Sequence, residues 1–66
     1  MYKLISYDNR IICVNKTEGN IINSIPFDPA NTDYQTFRKE VLAGAELLDA
    51  DGNVMTQADE FIATLP

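Results

Sequence analysis

Asp49-Ala50-Asp51-Gly52-Asn53 is the stretch whose spacing comes nearest to a metal site, because alternate acidic side chains around a turn glycine can converge oxygens on a hard cation. The register fails. With Gly52 at the sixth position of an EF-hand-type loop, the first ligand falls on Leu47 and the twelfth on Ala58, and neither offers a side-chain oxygen. A tight turn accounts for the pattern, and no metal or other cofactor is expected. Asp28 with Asp33, and Asp59 with Glu60, are the carboxylate pairs available for acid–base work, which needs two acids held in different environments. Asp33, Asp59 and Glu60 are accounted for by helix starts, where a negative charge meets the positive helix end. The chain has no histidine, which removes the commonest general base and every Ser-His or Cys-His pairing. Its single cysteine, Cys13, lies in the β-branched run Ile11-Ile12-Cys13-Val14 and reads as a small hydrophobe, with no partner for a disulfide and no cationic neighbour to form a thiolate. The expectation is a protein that is not an enzyme.

Charge narrows the partners. Residues 1–27 carry three cations against two carboxylates, a net of +1, while residues 28–66 carry eight carboxylates against Arg38 and Lys39, a net of −6. An overall charge of −5 with no basic cluster argues against nucleic acid, since phosphate binding rests on Lys and Arg. Tyr2, Tyr7, Phe27, Tyr34, Phe37 and Phe61 fit core positions better than a base-stacking platform, which would need interleaved positive charge. Of these, Tyr7 and Phe27 are the two expected to stay partly exposed. The apolar runs are only a few residues long, well short of the roughly 18 that span a bilayer, and no leader pattern is visible, so neither a membrane nor secretion by a signal peptide is expected.

These residues must be positioned by a small α+β fold in one domain, 1–66. Two β-rich runs flank Asp8-Asn9, which tolerates left-handed backbone, and Gly19-Asn20 turns the chain into Ile21-Ile22-Asn23-Ser24-Ile25, giving an antiparallel β-meander over 1–25. Pro26 and Pro29 stiffen a connector over 26–31. The amphipathic helix expected over 32–44 starts at Thr32, with Gln35 completing a Thr-x-x-Gln capping box and Asn31 as the competing cap. Tyr34, Phe37, Val41 and Leu42 form its apolar side, and Gly44 stands where a helix terminates. A short hairpin over 45–56 around Asp51-Gly52 and a short helix over 57–65, starting after Thr56 with Phe61, Ile62 and Leu65 inward, complete the chain.

Ile11-Ile12-Cys13-Val14 is apolar on both faces of its strand and Ile21-Ile22 nearly so, yet one helix covers one face of a sheet. The second face is expected to be covered partly by the acidic C-terminal half folding back and partly by another copy of the chain, because a core this small is thin.

The run Ser24-Ile25-Pro26-Phe27-Asp28-Pro29-Ala30-Asn31-Thr32-Asp33-Tyr34-Gln35-Thr36-Phe37 resembles a motif of short, uncharacterised bacteriophage proteins associated with tail-fibre and other virion genes. These read as a strand, then Ile-Pro-x-Asp-x-x-Asn-x-Asp-Tyr, then a helix ending near Ala-Gly, here Ala43-Gly44. The resemblance covers about the middle third of the chain. It departs after Gly44, where a hairpin and helix stand in place of a Pro-rich tail. It implies a viral origin and a location in the host cytoplasm or the virion. The expected role is a non-enzymatic, virion-associated or assembly-related interaction module that self-associates or binds another phage structural protein. Its apolar contacts are expected at Tyr7, Ile12, Val14 and Phe27. The alternative expectation is an acidic inhibitor that presents Glu46, Asp49, Asp51, Asp59 and Glu60 to a basic host protein.

Overall fold

Asp8 and Asn9 both take positive φ, 54° and 61°, the backbone of a two-residue turn whose twist matches the strands it joins. In the computed structural model, which describes all 66 residues, that turn links β1 (Tyr2–Tyr7) to β2 (Arg10–Glu18). Gly19, at φ 59°, opens the second two-residue turn, which leads into β3 (Ile21–Pro26). β2 runs on through Lys16, Thr17 and Glu18 up to this turn. A bulge shifts the β1–β2 register between Ile5 and Ser6, so that Ile5 pairs with Cys13, Ser6 pairs with Ile11, and Ile12 is the extra residue.

The turn at Asp28 to Asn31 delivers the chain into the helix. The Asn31 amide donates to the Asp28 carbonyl at 2.8 Å, and the Ala30 amide donates to Asp28 Oδ1 at 3.0 Å. The helix α1 (Thr32–Leu42) is then capped by Asn31, whose Oδ1 accepts from the Tyr34 amide at 3.1 Å. The cap is thus the competing residue and not Thr32. Gln35 lies one position too late to close a box on Asn31, and its Nε2 donates instead to the Pro29 carbonyl at 2.7 Å. The helix stops at Leu42, two residues before the expected end, and Gly44 is its terminating glycine: Ala45 N–H reaches the Glu40 carbonyl at 2.9 Å, Gly44 N–H reaches the Val41 carbonyl at 3.0 Å, and Gly44 adopts φ 110°.

The acidic half departs from expectation, first in its strands. The second hairpin is reduced to one antiparallel bridge, Leu48 to Val54, and Leu47–Leu48 instead forms β4, which joins the edge of the meander in parallel with β1. The sheet is therefore mixed, in the order β3-β2-β1-β4. The cause is Leu47: it is buried in the core, so its backbone is carried into hydrogen-bonding range of Tyr2 and Lys3. The last helix, α2 (Ala58–Ala63), is shorter than expected, and Gln57 stands at its cap without a side-chain bond.

Tyr2 and Leu4 of β1, Val14 of β2, Ile25 of β3, Tyr34, Phe37 and Val41 of α1, Leu47 of β4 and Ile62 of α2 make one core. Strand alternation puts the four strand residues of β1, β2 and β3 on one face, so both helices lie on that face. The acidic half consequently does not fold over the second face, contrary to expectation. Leu42 is 57% exposed although it was placed on the apolar side. At about 100° per residue it projects well away from the direction shared by Tyr34, Phe37 and Val41.

Candidate interaction surface

The surface carries no pocket, and no cluster of three or more His, Cys, Asp or Glu side chains is placed to hold a metal ion. What the molecule presents is the outer sheet face and the sheet margins. Along the outer face the register aligns Ile5 with Cys13 and Pro26, Lys3 with Asn15 and Ser24, and Thr17 with Ile22. Ser24 Oγ donates to Asn15 Oδ1 at 2.8 Å, so the middle row is polar and joined across two strands. Cys13 is a free thiol, half-buried between Ile5 and Pro26.

The two margins differ in length and in what guards them. On one side β4 has two residues and runs straight into a closed loop, in which Asp49 Oδ1 accepts from the amides of Asp51 and Asn53, each at 2.9 Å. On the other side β3 has six residues and no neighbour beyond it. The phase of its free groups follows from β2. Thr17 N–H donates to the Met1 carbonyl at 2.9 Å, and the Met1 nitrogen donates to the Thr17 carbonyl at 3.2 Å, so both backbone groups of Thr17 point toward β1. Ile22, which stands opposite Thr17 on the other side, therefore points its own N–H and C=O away from β2. Alternation extends this to Ser24 and Pro26, and the ring nitrogen of Pro26, which has no hydrogen, costs the ladder nothing there.

Large apolar side chains accompany this margin. Ile21 and Ile22 are 63% and 64% exposed, and Met1, also exposed, stands two strands away across Thr17. No charged residue occurs between Glu18 and Asp28, although edge strands are commonly protected by charge. At the opposite end of the sheet Tyr7 is 74% exposed, beside the bulge residues Ile11 and Ile12.

Among the expected contact residues, Tyr7 and Ile12 are open to a partner. Val14 is not: it is fully buried, pairing with Leu4 and Ile25 under the helices. Phe27 is half-buried and committed inward, with its ring 5.9 Å from Tyr34, 6.5 Å from Phe37 and 6.4 Å from Phe61. Glu46, Asp51, Asp59 and Glu60 are exposed, whereas Asp49 is half-buried and occupied by its own loop. Ile21 and Ile22 were expected to need cover but were not among the expected contact residues, and the outward backbone of Ser24 was not foreseen. The uncharged run from Gly19 to Phe27 was the available signal.

Electrostatics at the sheet is local. Lys16 and Glu18 pair at 2.9 Å, and each holds the other charged: the pairing raises the lysine and lowers the glutamate from their ordinary values. The Lys16 ammonium also lies 5.6 Å from the centre of the Tyr2 ring. Burial, then the bond from its hydroxyl to Glu40 Oε2 at 2.6 Å, pushes Tyr2 up to about 12. Arg38 lies over the Tyr34 ring at 5.8 Å, and Nη1 of Arg38 and the Tyr34 hydroxyl both donate to the Pro66 carbonyl, at 3.2 and 2.7 Å. The Tyr2–Glu40 bond ties α1 to the sheet, and the bonds to Pro66 tie α1 to the segment after α2.

No known protein family matches the chain, and neither a curated protein nor a solved structure matches it.

Proposed function

We propose that the chain is a small, non-enzymatic bacteriophage protein, virion-associated or assembly-related, that works as an interaction module through the β3 side of its sheet. The observation that carries this reading is the six-residue edge with outward backbone groups, exposed Ile21 and Ile22, and no charge. A strand edge of this kind binds by adding another strand, with main-chain hydrogen bonds supplying affinity and side chains supplying fit. The phage assignment rests on the resemblance at Ile25 to Tyr34, and the non-catalytic one on the lack of histidine and on carboxylates engaged in turns and helix starts. The partner is another copy or another phage structural protein, met in the host cytoplasm or the virion, and neither nucleic acid nor a membrane is needed.

A second reading has its own support. Glu46, Asp51, Asp59 and Glu60 are exposed in the half that carries −6, a surface suited to inhibiting a basic host protein. Salt separates the two, because exposed charge pairs are screened and strand addition is not. Mass spectrometry of purified virions, with complexes washed at rising ionic strength, is expected to find the chain in particles and in salt-resistant complexes. Absence from virions, with binding that vanishes as salt rises, overturns the module in favour of the inhibitor.

A further inference from the structure

We infer that the β3 edge pairs with the β3 edge of a second copy, antiparallel and about a two-fold axis at Asn23, to make one continuous eight-stranded sheet. This rests on the reading of the chain as an interaction module and names its partner.

The edge is its own complement. Ile22 and Ser24 direct both backbone groups outward, and Pro26 directs only a carbonyl. With Asn23 on the axis, Ile22 of each copy stands opposite Ser24 of the other. Ile22 N–H then donates to the Ser24 carbonyl and Ser24 N–H to the Ile22 carbonyl, so four bonds form across the pair and no outward donor of β3 is left over. Centring on Ser24 instead also forms four bonds, two across Ser24 itself and two from Ile22 N–H to the Pro26 carbonyl, and leaves the Ile22 carbonyl unused where the Asn23 register leaves that of Pro26; the side chains separate the two, because it would set Asn23 against Ile25 on the helix-bearing face. Centring on Ile22 would pair Ser24 with Asn20, beyond the strand end.

Side chains agree with the same register. Ile21 lies on the helix-bearing face with Asn23 and Ile25, yet is 63% exposed. In the dimer it stands opposite Ile25 of the second copy, which is already covered within its own chain, so the pairing shields Ile21 at the margin of that core. Asn23 meets Asn23, and two carboxamides can exchange hydrogen bonds. Charge does not oppose a second copy at this edge. The chain is −5 overall, but its carboxylates are concentrated in residues 28–66, and two copies joined along β3 meet through the uncharged run from Gly19 to Phe27. The assembly closes, because the only edges left are the two β4 strands, each two residues long and stopped by the Asp49 loop.

Light scattering on the full chain across a concentration series, at low and high salt, is expected to give twice the 7.4 kDa of one chain at the upper end in both salts. Amide exchange followed by NMR locates the contact. The Ile22 and Ser24 amides should gain protection as concentration rises, while Asn23, bonded to Lys16 within one chain, stays protected throughout. Ser24→Pro removes an outward donor from each copy, and Ile22→Lys brings a charge to the seam. Each should weaken association by about tenfold or more, with Asn23 protection reporting that the variant remains folded. If Ser24→Pro loses that protection, Ile22→Lys alone decides. A chain that stays monomeric at every concentration overturns the inference, as does a dimer whose Ile22 and Ser24 amides exchange as fast as in the monomer. A monomer still found in virions removes only the second copy and leaves the module standing. A monomer absent from virions and from every salt-resistant complex removes both.

Discussion

The seam beneath α1 and the margin along β3 are built from similar residues and end in opposite states. Under the helix, Tyr2 meets Phe37 edge-on at 5.0 Å, Tyr34 and Phe37 are fully buried, and the polar ends of the rings find partners, Tyr2 on Glu40 and Tyr34 on Pro66. Along β3, two isoleucines stay exposed, one on each face, and two backbone donors point away from the sheet with nothing against them. The difference teaches that apolar composition alone does not build a core. Coverage does, and this chain has enough helix to cover one face and no edge.

The largest test of that contrast removes the centre of the seam. Phe37→Ala should cost about 3–5 kcal/mol of stability in denaturant titration, enough to unfold most of a domain this small. If the variant melts with the parent, the helix is not held as described.

Next in size is alkaline pH. An unfolded tyrosine loses its proton near pH 10 and Tyr2 holds it to about 12, so the folded state binds the proton more tightly. Its contribution is intact below pH 10 and is lost as pH rises toward 12, by about 2–3 kcal/mol. Denaturation measured across that window should fall more steeply in the parent than in Tyr2→Phe. Equal slopes would show that Tyr2 does not drive the loss.

Smaller still is the cap. Asn31→Ala should cost about 1 kcal/mol because it strips the acceptor from the Tyr34 amide. Thr32→Ala, at the position the sequence pattern favoured, should change stability by less than about 0.5 kcal/mol. A reversed order would restore Thr32 as the cap.

The smallest effect is expected on the margin. Ile22→Ala in dilute solution should shift stability by less than about 0.5 kcal/mol, since the side chain is mostly in water already. A cost comparable with that of Phe37→Ala would mean that β3 is packed after all, and the contrast between the two regions would disappear.

Much of the meander was legible because its cues are short-range. Asp8-Asn9 and Gly19-Asn20 specify turns by the φ values they accept, and Gly44 marks the helix end for the same reason. Tyr34, Phe37 and Val41 announced a one-sided helix through spacing. Legibility failed where two local solutions were nearly equal, as with Asn31 and Thr32, which are adjacent acceptors; the Asp28 turn chose between them. It failed also for Ile12 and Val14, because strict alternation puts them on the same face. The bulge leaves Ile12 unpaired and exposed while Val14 is buried.

By itself the sequence determined the strands and turns of the meander, the presence of two helices after it, how charge divides between the halves, and which reactive groups are missing. These depend on neighbouring residues or on composition. Only the tertiary structure decided that Leu47 turns β4 into a parallel edge strand, that both helices share one face, and that β3 is left bare. Those outcomes depend on which of several apolar surfaces reach the same interior, and a chain of 66 residues has room for one such interior.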